Sequence, residues 1–309
     1  MKKAYFYIDD TIWVLRDITR QKPASLFDNP FMKMLKTAHD KFGVKTQLNL
    51  FYRTDYFYGN DEFTLADVTD AYKSEFQEAS SWLKMAFHAK EEFPDFPHIN
   101  ATYDDVYDLF KATEKEVIRF AGKDSFAYSV CTHWLPVSKE GVRALKDCGV
   151  KILDSTYGET FDSKGNFDFL PYGHSFRFLN NHQESTRTYS ITNRETGNKW
   201  YSICGYNHLT MDEQAKTVGT TKHIYNEEMK LPLKKFATCC LNTSAFEKLE
   251  GIFSAQIDND YIGIVDHEQY FYSDYFAYQP DYADKIYKMG EILCKNGFEF
   301  ICGEELLDN

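Results

Sequence analysis

The chain has no membrane-length apolar run, no basic stripe and no cysteine clamp, and each absence removes a class of function. Nothing in the 309 residues approaches the ~20 consecutive apolar residues of a spanning helix. The N-terminus, M-K-K-A-Y-F-Y-I-D-D, opens with two lysines like a signal peptide, but Asp9 and Asp10 break its apolar run too early for one. With 35 basic against 47 acidic residues the net charge is −12, and no Lys/Arg cluster offers a footprint for a phosphate backbone, so nucleic acid is not an expected partner. The seven cysteines are odd in number and contain no C-x-x-C; the adjacent Cys239 and Cys240 make a poor zinc clamp. Reduced thiols in a cytoplasm are therefore expected. No P-loop, G-x-S-x-G elbow or G-x-G-x-x-G fingerprint is present. Nor is there an internal repeat, a low-complexity tract or a Pro/Gly/Ser linker, so residues 1–309 read as one domain.

What is there is an α/β rhythm. Ala4–Ile8 is a short aromatic and β-branched run, the signature of a buried strand, and it stops abruptly at two carboxylates. A helix is expected over Phe31–Lys41, closed by Gly43, then a strand over Val44–Tyr52, a helix over Leu65–Gln77 and a strand over Leu83–Phe87 that ends on His88. Thr102, with Asp104 and Asp105 behind it, caps a helix running to Phe120. Phe126–Cys131, a helix capped by Ser138, and Val150–Leu153 follow. Such alternation points to a parallel sheet or barrel. Residues 155–230 carry turn clusters between aromatic, alternating runs and read as a β-hairpin-rich insertion. The rhythm then resumes with a capping box at Ser244 and Glu247, a strand over Tyr261–Val265, a helix over Asp281–Asn296 and a strand over Phe298–Cys302.

In parallel α/β folds ligands bind at the carboxyl ends of the strands. Four of the expected strands end in Asp9-Asp10, in His88, in Cys131-Thr132-His133 and in Asp266-His267-Glu268. Closure of a barrel would bring these together as one acidic, histidine-lined site. One aspartate can hold a metal while the other serves as base. A helical turn after Ala89 would put His88 and Glu92 on one face at i, i+4, a spacing that supplies two ligands to one ion; His133 is the competing third ligand. The run from Val265 to Tyr275, V-D-H-E-Q-Y-F-Y-S-D-Y, sets an imidazole between carboxylates and beside several rings, as proton transfer next to a sugar-stacking platform would require. Glu268 and Tyr270 are candidate substrate contacts there, with Trp134 after His133 and with Tyr157, Tyr172 and His174 in the insertion. Adjacent Asp9 and Asp10 cannot flank a glycosidic bond from opposite sides, which argues against a glycosidase built on that pair.

The order of these motifs resembles the polysaccharide deacetylase superfamily, from residue 4 to residue 305, and in particular a divergent branch carrying H-A-x-x-E-F-P and H-E-Q-Y-F-Y segments, here His88–Pro94 and His267–Tyr272. The resemblance implies an irregular (β/α) barrel of seven strands and a metal-dependent hydrolase removing an acyl group from an N-acetylated sugar or related amide. It implies Asp9 as base, Asp10 as metal ligand, His88 and Glu92 in the places of the family's H-x-x-x-H histidines, and His267 as general acid. One divalent ion follows, with zinc best suited to the imidazole content. The family's R-P-P-Y-G segment is replaced by S-V-C-T-H-W, and its D-x-D-W segment, with the arginine that orients the base, has no counterpart. A sugar-binding barrel without turnover is the alternative reading.

Overall fold

The computed structural model describes residues 1–54, 62–93, 97–98, 101–135, 137–154, 217–227 and 229–308. Its centre is β1 (Lys2–Thr11), buried along nearly all its length. It pairs in parallel with β2 (Thr46–Phe51), with β9 (Tyr261–His267) and, at its first residues, with β10 (Phe298–Phe300). The sheet runs β3-β2-β1-β9-β8, where β3 is Leu83–Ala89 and β8 is Cys239–Cys240. A second sheet runs β4-β5-β7-β6 (Ser129–Val130, Ile152–Asp154, Leu231–Lys234, Ile224–Asn226). Its pairings are parallel except the last, β6 with β7. A parallel bridge from Met85 to Phe126 joins β3 to the segment leading into β4. The result is an α/β fold with a mostly parallel sheet and, among the described residues, seven α-helices.

Both faces of β1 are buried, which is why it reads as a continuous apolar run and not an alternating one. Ala4, Phe6 and Ile8 pack against the helices, whereas Tyr5 and Tyr7 join Cys131, Ile152, Phe236 and Tyr261 in a separate cluster. Asp9 continues the Tyr5–Tyr7 face by the two-residue period of a strand. Gly263 on β9 lies so close to Phe236 that a Cβ there would fall 1.6 Å from that carbonyl oxygen, so only glycine allows this approach.

The helices start where their caps place them. In α2 (Pro30–Phe42) the Asn29 side chain accepts from the amides of Phe31 and Met32, and Gly43 closes the helix at φ 69°. In α4 (Tyr103–Ala121) Thr102 and Asp105 form a reciprocal box, and in α5 (Lys139–Asp147) Ser138 accepts from Gly141. Two expected elements differ. The helix over Leu65–Gln77 is a single 3-10 turn, Leu65–Asp67, and a separate α3, Lys73–Ala79. The Thr69 hydroxyl takes the Ala71 amide and Arg119 takes the carbonyls of Leu65 and Val68, so the backbone bonds that would have joined the two pieces are spent elsewhere. Ser244 is not a cap: its hydroxyl donates to the Cys240 carbonyl, and a 3-10 turn at Phe246–Lys248 leads into α6 (Leu249–Ser254). The remaining helices are α1 (Trp13–Gln21), not anticipated above, and α7 (Tyr282–Lys295). No helix among the described residues is long and apolar enough to cross a membrane.

Candidate metal centre

At the carboxyl end of β1 the chain does something strands seldom do. Its pairing with β2 shifts between Ile8 and Thr11, and Asp10 takes φ 61°, the left-handed region that aspartate tolerates better than most residues. The irregularity lets two successive carboxylates turn to neighbouring places. Asp9 stays in register with His267 on β9 and accepts from Asn49 Nδ2 at 2.7 Å, while Cys131 Sγ lies 3.9 Å from its other oxygen. Asp10 instead meets two imidazoles. Its Oδ1 is 3.2 Å from His88 Nε2 and 3.1 Å from His133 Nδ1, and those two nitrogens are 3.2 Å apart.

The far nitrogens of both rings fix what the near ones can do. His88 Nδ1 lies 2.6 Å from the Cys131 carbonyl and His133 Nε2 lies 3.0 Å from the Glu92 carbonyl. A carbonyl only accepts, so each far nitrogen carries the hydrogen, and in the neutral rings each near nitrogen presents a lone pair. Three acceptors within 3.2 Å of one another, in a buried site, need a positive charge between them. A proton on His88 meets that need in the protein alone: burial lowers its pKa, but Asp9 and Asp10 outweigh burial and raise it above the ordinary imidazole range. Burial keeps His133 below that range, in the form that ligates metals. A divalent ion meets the same need. Ligands on a tetrahedral or octahedral ion with bonds of about 2.0–2.2 Å stand about 2.8–3.6 Å apart, which brackets the spacing here. Imidazoles held by backbone carbonyls through their remote nitrogens are the usual outer support of such sites. The donor set fits a metal, and Asp9, His88 and Cys131 form a second, overlapping group able to hold one.

The structure brings together Asp9, Asp10, His88 and His133, with His267 beside Asp9. The helical turn expected to set Glu92 beside His88 does not form, although Glu92 is buried next to His133. Ala89 is still in β3 and residues 90–92 form bends, so no helical turn sets Glu92 at i, i+4 from His88; its main-chain carbonyl meets His133 Nε2. Glu268, expected at the substrate, is corrected as well. It is fully buried and its two oxygens accept from the amides of Ile12, Trp13 and Val14 and from the Tyr272 hydroxyl, about the full capacity of a carboxylate. Tyr270 is likewise fully buried, in the main core against Tyr275, because the 3-10 turn over Glu268–Phe271 rotates it inward. Trp134 is half-buried at φ 61°, its ring 6.0 Å from that of His133. Tyr157, Tyr172 and His174, with most of 155–230, lie outside the described residues.

Several partners carry no motif in the sequence. Gln47 and Asn49 form a buried relay, Gln47 Nε2 to Asn49 Oδ1 at 2.7 Å and Asn49 on to Asp9. Asn242 Oδ1 accepts from His267 Nδ1 at 2.9 Å, leaving Nε2 as the ring's other face. Gln269 Nε2 donates to Asp10 Oδ2 at 2.8 Å, and His98 holds the His88 carbonyl at 3.1 Å. The two neutral amides on β2 do leave a legible signal: in a strand buried on both faces, polar residues at alternate positions mark a polar interior and not solvent.

Beside this group, burial pushes Asp266 up to about 8, against the lowering effects of the His267 amide and Lys285; its Oδ2 has no hydrogen-bond partner among the described residues. An acid whose folded pKa is raised stabilises the fold below its unfolded pKa and loses that contribution as pH rises through the folded value. Asp266→Asn is expected to match wild type near pH 4 and to melt several degrees higher at pH 8. Thermal melts across that range check it, and parallel curves for the two proteins would contradict it.

No protein-family model matches the chain, and no curated protein matches it. Among solved structures, a 4-α-glucanotransferase from Thermococcus litoralis superposes with a TM-score of 0.53 at 10% identity. The match takes in 100% of this chain but 40% of that one, and at this identity it speaks to the fold alone.

Proposed function

We propose that the two sheets close into an irregular (β/α) barrel of the polysaccharide deacetylase type, and that the chain is a metal-dependent hydrolase of N-acetylated sugars or related amides. The observation that carries this reading is the convergence of Asp10 Oδ1, His88 Nε2 and His133 Nδ1, with Asp9 next to them in sequence and in space. These three residues would hold the ion, zinc by donor type, which when bound polarises the substrate carbonyl and acidifies a water. Asp9, 7% exposed where Asp10 is sealed, accepts the water's proton while Asn49 keeps its Oδ1 in place. His267 faces the same strand-end position from β9 and delivers a proton from Nε2 to the departing amine, its Nδ1–H being anchored on Asn242. Water is consumed, the C–N bond breaks, and acetate and a free amine leave.

The test is release of acetate from N-acetylglucosamine oligomers by the zinc- or cobalt-loaded protein, followed against a chelated control. Metal-dependent release is expected. A protein that holds the ion and binds the sugar, yet releases nothing, would instead be a carbohydrate-binding barrel.

A further inference from the structure

Asp10 offers a metal one oxygen, and its other oxygen is already engaged. Oδ1 faces both imidazoles, whereas Oδ2 accepts from Gln269 Nε2 at 2.8 Å. Gln269 is 2% exposed, so water cannot readily substitute for that donor. Its orientation follows from chemistry: the amide oxygen turned toward Asp10 would set acceptor against acceptor, so the NH2 must face the carboxylate.

The residue before Gln269 secures the same stretch of chain. Helix α1 begins at Trp13 without a side-chain cap of its own, the residue before it being Ile12. Glu268 supplies the cap from β9's far end, accepting from Ile12 and Trp13 through Oε2 at 2.7 and 2.9 Å and from Val14 through Oε1 at 2.6 Å. Those amides are the unsatisfied donors of the helix's first turn. Asp10 is thus held from both sides. Strand β1 is paired with β9 up to Asp9 and His267, α1 is clamped by Glu268 from Ile12 onward, and between these anchors Asp10 keeps its positive φ.

We infer that Gln269 is a positioning residue for the metal, acting through Asp10: by occupying Oδ2 it makes Asp10 a one-oxygen ligand and keeps Oδ1 on the line of His88 and His133. This rests on the metal reading above and adds to it a residue that touches no ligand atom of the ion. A carboxylate freed at Oδ2 can rotate or bind through both oxygens, so the coordination number, and not only the affinity, depends on Gln269.

The experiment uses the full chain as wild type and as Gln269→Met, which keeps length and removes the donor, with Gln269→Leu as a second variant should methionine disturb folding. Zinc affinity is measured by competition with a chromogenic chelator, the visible spectrum is recorded on the cobalt form, and the metal-free proteins are melted. The expected result is an affinity loss of about 10–100-fold. Cobalt absorption should weaken as a second Asp10 oxygen enters the shell, and the metal-free melting temperature should fall by a few degrees because the buried Oδ2 loses its donor. Unchanged affinity and spectrum, in a wild type that binds zinc, would overturn the role of Gln269 and leave the metal site standing. A lower melting temperature with an unchanged spectrum would make it a packing residue and overturn the role equally. Failure of wild type to bind either metal would bring down the metal reading and this inference with it.

Discussion

Asp9→Asn is expected to retain the metal and to lower turnover by about 10²–10⁴-fold, the usual worth of a general base. The substitution is close to isosteric. The asparagine's own oxygen can still accept from Asn49 Nδ2, which holds Asp9 at 2.7 Å, so the site should keep its shape. What disappears is the capacity to take a proton. Elemental analysis alongside steady-state kinetics separates the two effects, because the loss should fall on kcat with metal content unchanged. If zinc content fell together with activity, Asp9 would belong to the ion's own shell. The overlapping group of Asp9, His88 and Cys131 would then be the true centre.

The second large effect distinguishes the ligands. Asp10→Ala and His133→Ala each remove an atom from the converging set, and each should weaken zinc binding by more than about 100-fold, beyond what loss of an outer partner costs. Glu92→Ala should do much less, since Glu92 reaches His133 through its main chain, which the substitution leaves in place. Chelator competition on the three variants gives the order. Equal losses in Glu92→Ala and His133→Ala would contradict it.

The ends of the buried strands are legible in the sequence because an apolar run that stops abruptly at charged residues marks where a strand leaves the core. Asp9-Asp10, His88 and His267 all sit at or beside such ends in the structure. The third donor is harder to choose from sequence. Proximity along the chain favours Glu92, four residues after His88, but β3 continues through Ala89 and residues 90–92 form bends in place of the helical turn that spacing assumed. Parallel packing instead sets the segment after β4 against the end of β3, and so carries His133 to His88 from 45 residues away. Glu268 and Tyr270 mislead for a related reason. Their run looks like an exposed aromatic loop until the 3-10 turn over Glu268–Phe271 turns both side chains into the protein. Gln47 and Asn49 signal a polar interior by their alternate places in a buried strand but not a role, and Gln269 stays silent; only their hydrogen bonds, to partners up to 259 residues away, give them one.

The most direct measurement is an anomalous-scattering map from crystals soaked in zinc. The account predicts one peak within about 2.0–2.2 Å of Asp10 Oδ1, His88 Nε2 and His133 Nδ1, with the Glu92 carboxylate outside bonding distance. A map with no peak near those three atoms, or a peak bound to Glu92 and not to His133, would contradict it.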